Sequence, residues 1–161
     1  MTVNRYLMAA NAKPVYRWAV VAGDSNMRQI PPGAKATFRL RVEPKHLANQ
    51  FKDAILPQVL ATPVMVALME GAARNMVDPK LEPGHMTVGT ILNIKHLAAT
   101  PVGMRVRARA ELVRVEGRWL HFKVEVFDER EKVGEGTHTR AIINMRRFWD
   151  KLQTKVDIGL A

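Results

Sequence analysis

The stretch from Ala61 to Val77 is apolar on nearly every side when it is drawn as a helix. A helix without a solvent-facing side has to be buried by the rest of the chain, so this segment limits the fold to one that surrounds it. Its start is marked by Thr62, whose hydroxyl suits an N-cap, and by Pro63, which suits the first helical position. The sequence therefore predicts a buried central helix over residues 61–77, capped by Thr62.

One carboxylate, Glu70, interrupts the apolar run of this helix. Removing a carboxylate from water is unfavourable unless it gains a partner or faces a wet cavity. Glu70 is therefore a candidate functional residue. The alternative is a structural ion pair with Arg74, four residues further along the helix.

Several further segments alternate between apolar and polar residues with the period of a half-buried strand. In one of them the alternation changes phase at Val113, which predicts a β-bulge. The turn at Glu116 and Gly117 is of the hairpin type. The predicted strands span residues 36–42, 87–96, 105–116, 118–128 and 132–144.

The strand predicted over residues 87–96 ends in a histidine, His96, that the alternation places on the core side. The residues predicted to share its face are Val88, Thr90, Leu92 and Ile94.

One strand before the helix and four after it, joined mostly by short turns, predict an α+β fold in which an antiparallel sheet wraps the apolar helix. Residues 1–35 form an extension of undetermined structure, in which Val15 to Ala22 fits either a short strand or a helical turn. The sheet-and-helix domain covers residues 36–145. The tail, residues 146–161, includes an amphipathic helix that begins near Met145 and runs to about Thr154.

Composition excludes several classes of protein. The chain has no cysteine, which rules out disulfides, thiolate metal sites and cysteine nucleophiles, and is compatible with a reducing cytoplasm. No apolar run approaches the length of a membrane span, so we expect a cytoplasmic protein with no membrane partner. Histidines and carboxylates do not cluster at ligand spacing, and no phosphate-binding glycine motif is present, so no metal and no cofactor are expected.

The formal net charge of +10 points to a polyanionic partner or to a solvated basic surface. Nucleic acid is one such partner, favoured by Arg105, Arg107 and Arg109 on one predicted strand. Aromatic residues are only 6% of the chain and no nucleic-acid motif is recognisable, which makes this partner unlikely. Coenzyme A, which carries several phosphates, is another.

Over roughly residues 38–148 the sequence resembles the fluoroacetyl-CoA thioesterase-like group of the hot dog fold superfamily. The resemblance rests on four blocks, of which the second and fourth are the most specific. They are residues 61–70, residues 96–104, residues 113–119 and residues 135–140.

The resemblance implies a hot dog fold and hydrolysis of an acyl-CoA thioester. It implies that Thr62, Glu70 and His96 are catalytic and that the backbone of Gly89 faces the thioester. The group's aromatic gate is replaced around residues 55–56, so fluoroacetyl selectivity is not implied.

The chemistry can also be argued from the residue types. A thioester carbonyl needs an oxyanion donor, an attacking group and a base, which a helix N-terminus, an acid and a histidine can supply. Eight residues of regular helix rise about 12 Å, so Thr62 and Glu70 of one chain would not reach the same carbonyl. Either the helix begins later than Thr62, or the site is assembled across a subunit boundary.

The leading hypothesis is an acyl-CoA thioesterase acting on a small or medium acyl group, and the alternative is a non-catalytic acyl-CoA binding or sensing module. A homodimer is expected, because the wrapped sheet leaves an edge strand and an apolar flank uncovered. Candidate ligands for the phosphates of coenzyme A are Arg105, Arg107, Arg140, Arg146 and Arg147.

Overall fold

The computed structural model describes residues 30–51 and 54–158. These residues form five strands and two α-helices, with short 3₁₀ turns before and after the first α-helix. No helix in these residues is long and apolar enough to cross a membrane. The elements are β1 (Lys35–Arg41), α1 (Thr62–Val77), β2 (His85–His96), β3 (Arg105–Glu116), β4 (Trp119–Phe127), β5 (Lys132–Asn144) and α2 (Met145–Ile158).

The strands form one antiparallel sheet in the order β1-β3-β4-β5-β2, with α1 packed on one face. The inward side chains of β3 and β4 are fully buried against the helix, as the alternation predicted. The phase change at Val113 is also confirmed, since the β3–β4 register shifts between Leu112 and Arg114. The buried side of α1 consists of Met65, Leu68, Met69, Ala72, Ala73, Met76 and Val77.

The opposite side of α1 is not covered within one chain. Thr62, Pro63 and Ala67 are exposed, and Val66 and Glu70 are half-buried. Thr62, Val66 and Glu70 follow each other at four-residue spacing, so they lie along one stripe of the helix. The prediction of burial on all sides is therefore wrong for the described single chain, and this stripe stays open.

The predicted cap at Thr62 is also wrong. The helix begins at Thr62 itself with Ala61 in the N-cap position, and Pro63 is in its first turn. The Thr62 hydroxyl makes no capping bond and is instead held by a residue distant in sequence, as described below. The possibility that the helix begins later than Thr62 is thereby excluded.

A bulge in β2 escaped the sequence prediction. The β2–β5 register shifts between Gly89 and Ile91, and the intervening Thr90 donates its hydroxyl to the carbonyl of Thr139. Val88 and Thr90 therefore do not share the face of His96. The shift turns Gly89 towards the helix instead.

The sheet-and-helix region is bounded by β1 and α2 in the described residues. Strand β1 begins at Lys35, after a turn in which Gly33 has φ +85. The tail forms α2, which extends beyond the predicted end near Thr154. The segment 15–22, for which strand and helical turn were both left open, lies outside the described residues.

Two glycines of β5 fit differently against their neighbours. A Cβ on Gly136 would lie 2.7 Å from the Cα of Ile94 and closer still to the carbonyl oxygen of Asn93. A Cβ on Gly134 would lie 2.5 Å from the Met65 sulfur, which is the end of a flexible side chain. Backbone cannot move aside as a thioether can.

We expect Gly136→Ala to lower the free energy of unfolding more than Gly134→Ala, by an additional 1–3 kcal/mol or so, because its Cβ would lie 2.7 Å from backbone of β2 whereas the backbone approach at Gly134 is 3.3 Å. Urea denaturation of both variants measures the difference. An equal or smaller loss in Gly136→Ala would contradict this account of the β2–β5 contact.

Candidate active site

The last residue of β2 meets the first residue of α1. Nδ1 of His96 lies 2.8 Å from the hydroxyl oxygen of Thr62, within hydrogen-bond distance. The approach to the helix is fixed by backbone bonds on either side, from the Leu60 N–H to the Thr100 carbonyl and from the Ala61 N–H to the His46 carbonyl. Two of the three residues predicted to be catalytic are therefore in direct contact.

The other ring nitrogen of His96, Nε2, is buried and has no hydrogen-bond partner among the described residues. Burial lowers the pKa of His96 below its usual 6.5, and the nearby backbone of Ala98 acts in the opposite direction. The imidazole is therefore neutral at pH 7, and one of its two ring nitrogens carries a lone pair that can accept a proton. In the tautomer in which that nitrogen is Nδ1, the proton comes from the Thr62 hydroxyl.

The N-terminus of α1 lies next to this pair. No side chain in the described part of the chain caps it. The first-turn N–H groups and the positive end of the helix dipole are thus available to an anion or a polarised oxygen. This is the environment that a developing oxyanion needs.

Glu70 lies at a second cluster, two turns further along α1. Its Oε1 is 3.5 Å from Nη1 of Arg140 and 3.6 Å from Nε2 of His138, both on β5. Arg74 pairs instead with Asp78, through an Nε–Oδ2 distance of 3.0 Å. The alternative of a Glu70–Arg74 ion pair is therefore not what the structure contains.

Gly89 lies directly against this carboxylate. It pairs with Arg140 in the β2–β5 register, and the bulge turns it towards the helix. A Cβ at this position would overlap Oε1 of Glu70 and would lie 3.2 Å from Cε1 of His138. Glycine is therefore needed here for the carboxylate to reach the strand.

Arg140 is 4% exposed, so the expectation that it meets a phosphate of coenzyme A at the sheet edge is wrong. Its Nε donates to the Thr87 hydroxyl at 2.9 Å and its Nη2 to the Thr87 carbonyl at 2.9 Å. Burial lowers the pKa of Arg140 from its ordinary value, while the charges of Glu70 and Asp78 oppose that shift. Arg140 is therefore a buried partner of Glu70 within that cluster.

Thr62–His96 and the Glu70 cluster are separate within one chain. Glu70 is eight residues along the regular helix from Thr62, a rise of about 12 Å. The structure thus brings His96 to Thr62 and Gly89 to Glu70, but it does not bring the two pairs together.

The other arginines considered for coenzyme A lie in two different places. Arg105 and Arg107 are on the sheet face away from α1, where Arg105 pairs with Glu129 at 2.9 Å and Arg107 lies 6.0 Å from the ring centroid of Phe127. Arg146 and Arg147 are exposed in the first turn of α2.

That first turn is joined to the start of β2. The Met145 N–H bonds the carbonyl of Gly84, and Asn144 pairs with His85, the first residue of β2. Arg146 and Arg147 therefore lie on α2, next to the start of the edge strand that carries Gly89.

Sequence reasoning missed the contributions of His138 and Thr87. No role in the site was predicted for His138, which is 1% exposed and in contact with the Glu70 cluster. A signal was present: His138 and Arg140 share a strand face with Gly134 and Gly136. Such a polar, glycine-rich face opposite an apolar helix has to accommodate that helix's one carboxylate.

Within the described ranges, no three histidine, aspartate or glutamate side chains are grouped so that they could hold a metal ion. The candidate reactive groups of the two clusters are a hydroxyl, an imidazole and a carboxylate flanked by a buried arginine.

Comparison with known proteins identifies the family of this chain. Residues 42–146 match the family model "FlK: Fluoroacetyl-CoA-specific thioesterase". The fluoroacetyl-CoA thioesterase of Streptantibioticus cattleyicolor is 43% identical over 116 residues, which are 71% of this chain and 84% of that protein.

Solved structures give the same result. A structure of the fluoroacetyl-CoA thioesterase FlK superposes with a TM-score of 0.77 at 37% identity, covering 80% of this chain and 98% of the other. A hot-dog-like protein from Thermanaerovibrio acidaminovorans shares the fold, with a TM-score of 0.72 at 21% identity over 78% of this chain and 92% of the other. This protein has the hot dog fold and belongs to the FlK family of thioesterases.

Proposed function

We propose that this protein is an acyl-CoA thioesterase that hydrolyses small or medium acyl groups, using Thr62, Glu70 and His96. The observation that carries the proposal is the 2.8 Å contact between the Thr62 hydroxyl and the ring of a buried, neutral histidine. A non-catalytic acyl-CoA binding module would need no such pair. Release of thiol from acyl-CoA, measured across a series of chain lengths, separates the two functions and defines the acyl group.

The residues present can supply each part of the reaction. His96 takes a proton, the uncapped start of α1 stabilises the oxyanion, and the hydroxyl of Thr62 or the carboxylate of Glu70 provides the attack or directs water to it. In each route the carbon–sulfur bond breaks, coenzyme A leaves as the thiol with the proton that His96 took, and the oxygen of water ends in the carboxylic acid. Both routes are retained, because each candidate group lies on the open stripe of α1.

A complete site would combine Thr62 and His96 of one subunit with Glu70 and Gly89 of its partner in a homodimer. Three observations support this arrangement. The two pairs are about 12 Å apart on one chain, the stripe of α1 that bears them is uncovered, and β2 is an edge strand with exposed Ile91 and Leu92. An isologous pairing would cover both the edge strand and the stripe.

For coenzyme A, the position of α2 favours Arg146 and Arg147 as phosphate ligands. They lie next to the start of the edge strand β2, which carries Gly89, whereas Arg105 and Arg107 are on β3, three strands away from β2, on the other face. The absence of cysteine still favours the cytoplasm as the place of action.

We expect His96→Ala to lower kcat by about 10²- to 10⁴-fold, the usual contribution of general acid–base catalysis, with a folded protein and little change in KM. In the wild type, kcat/KM should be level above pH 6.5 and fall below it, because protonation removes the neutral imidazole. Thr62→Ser, which keeps the hydroxyl, is the matched control and should retain much of the rate. Full turnover in His96→Ala would contradict the mechanism.

Mixing subunits tests the shared site. Thr62→Ala and Glu70→Gln chains should each form inactive homodimers, but a mixed dimer regains one complete site from the Glu70 of one chain and the Thr62 of the other. Random assortment of equal amounts should restore about a quarter of wild-type activity, because half of the dimers carry one of two sites. No recovery, with mixed dimers verified by mass spectrometry, would place each site within one chain.

Charge reversal tests the phosphate contacts. Arg146→Glu and Arg147→Glu should each raise KM for acyl-CoA up to about fivefold, the value of an exposed ion pair, and the effect should shrink with added salt. Arg105→Glu is the control with the same charge change and should leave KM unaltered. An equal rise in KM at all three positions would mean that the overall charge of the protein, and not a phosphate contact, causes the effect.

A further inference from the structure

We propose that His138 is a positioning residue that holds the guanidinium of Arg140 against Glu70. The inference rests on the proposed function, because it concerns how the carboxylate of that site is presented. It assigns a role to a buried histidine that takes part in neither catalytic pair.

The surroundings of His138 decide its tautomer. Nδ1 lies 3.0 Å from the carbonyl oxygen of Ile91, which can only accept a hydrogen bond, so Nδ1 carries the hydrogen. The ring is almost fully buried and stacks on Phe122, with centroids 6.2 Å apart. Burial and the charge of Arg140 lower the pKa of His138, so the ring is neutral and Nε2 carries a lone pair.

That lone pair completes the anchoring of Arg140. Nη1 donates to Nε2 of His138 at 3.2 Å, while Nε and Nη2 donate to Thr87. All three nitrogens of the guanidinium are thus fixed by neighbours on β2 and β5. The second hydrogen of Nη1 is left for Oε1 of Glu70, 3.5 Å away.

His138 cannot hold Glu70 directly. Its Nε2 and Oε1 of Glu70, 3.6 Å apart, are both acceptors in this tautomer. The histidine therefore acts through Arg140. Oε1 is the oxygen that faces Arg140, His138 and Gly89, so the other oxygen, Oε2, is the one presented to the half-exposed side of the site.

Loss of the Nε2 acceptor should let the whole guanidinium tilt about its remaining bonds to Thr87, and the carboxylate turn with it. A displacement of about 1 Å in a reacting group can cost on the order of 10² in rate. Binding of coenzyme A, which does not use this cluster, should be spared.

The test compares three variants by thiol release. His138→Phe, which keeps the ring but has no acceptor, should lower kcat by about 10- to 100-fold with KM little changed. His138→Gln, whose side-chain oxygen can accept from Nη1, should recover most of the loss. Phe122→Leu alters the packing of the same ring without touching Arg140, and should keep kcat near the wild-type value.

Two further measurements separate positioning from simple packing. Adding His138→Phe to Arg140→Gln should lower kcat no further, because the histidine acts through the arginine. In protein labelled with ¹⁵N-histidine, Nε2 of His138 should resonate as an unprotonated nitrogen and shift in Arg140→Gln.

Unchanged kcat in His138→Phe, equal impairment by His138→Gln, or additive losses in the double variant would overturn the inference. So would an Nε2 that carries a hydrogen, whatever the activity. A wild type that releases no thiol would contradict the proposed function instead, and the ¹⁵N measurement would still decide the contact between His138 and Arg140.

Discussion

Burial of α1 against the sheet fixes where every reactive group can be. Five large side chains of this helix, each worth about 1.5–3 kcal/mol when removed from water, face β1, β3 and β4, for a total on the order of 10 kcal/mol. That contact sets the rotation of the helix and leaves the stripe of Thr62, Val66 and Glu70 outside it. The spacing of the two reactive clusters is then a property of the helix itself.

The Glu70 cluster shows how a charged group is tolerated at such a place. Glu70 is partly desolvated by the helix and the sheet, and Arg140 is almost wholly buried. Neither ion is favourable alone, and each offsets part of the other's desolvation. Thr87 satisfies two of the arginine's nitrogens, and its hydroxyl reaches towards Asp78 at 3.5 Å, so the network continues to the surface ion pair of Asp78 and Arg74.

Much of this molecule could be predicted from the sequence, because alternation and apolar runs are local signals. Residue spacing predicts strands β3, β4 and β5, the central helix and the bulge at Val113. Thr62, Glu70 and His96 were found through the family resemblance together with the chemistry of their side chains. Contact between Thr62 and His96 is confirmed by the structure, whereas their catalytic roles remain predictions.

The predictions that were wrong share a physical cause, since each of these features depends on a contact between residues distant in sequence. The Thr62 hydroxyl would cap the helix in isolation, but His96 takes it. The bulge at Thr90 is a matter of register against β5, which alternation within β2 cannot show. Arg140 was expected at the sheet edge and His138 was not placed in the site, because nothing local to β5 reveals that Glu70 faces them.

The close approach at Gly89 also limits how this enzyme can change by mutation. Pockets are commonly retuned by enlarging or shrinking a side chain in the wall, yet here even a methyl group would displace the carboxylate. The position of Gly89 therefore does not tolerate a change of that kind. Shifts in acyl preference, whether in evolution or in the laboratory, would have to arise from walls that do not touch Glu70.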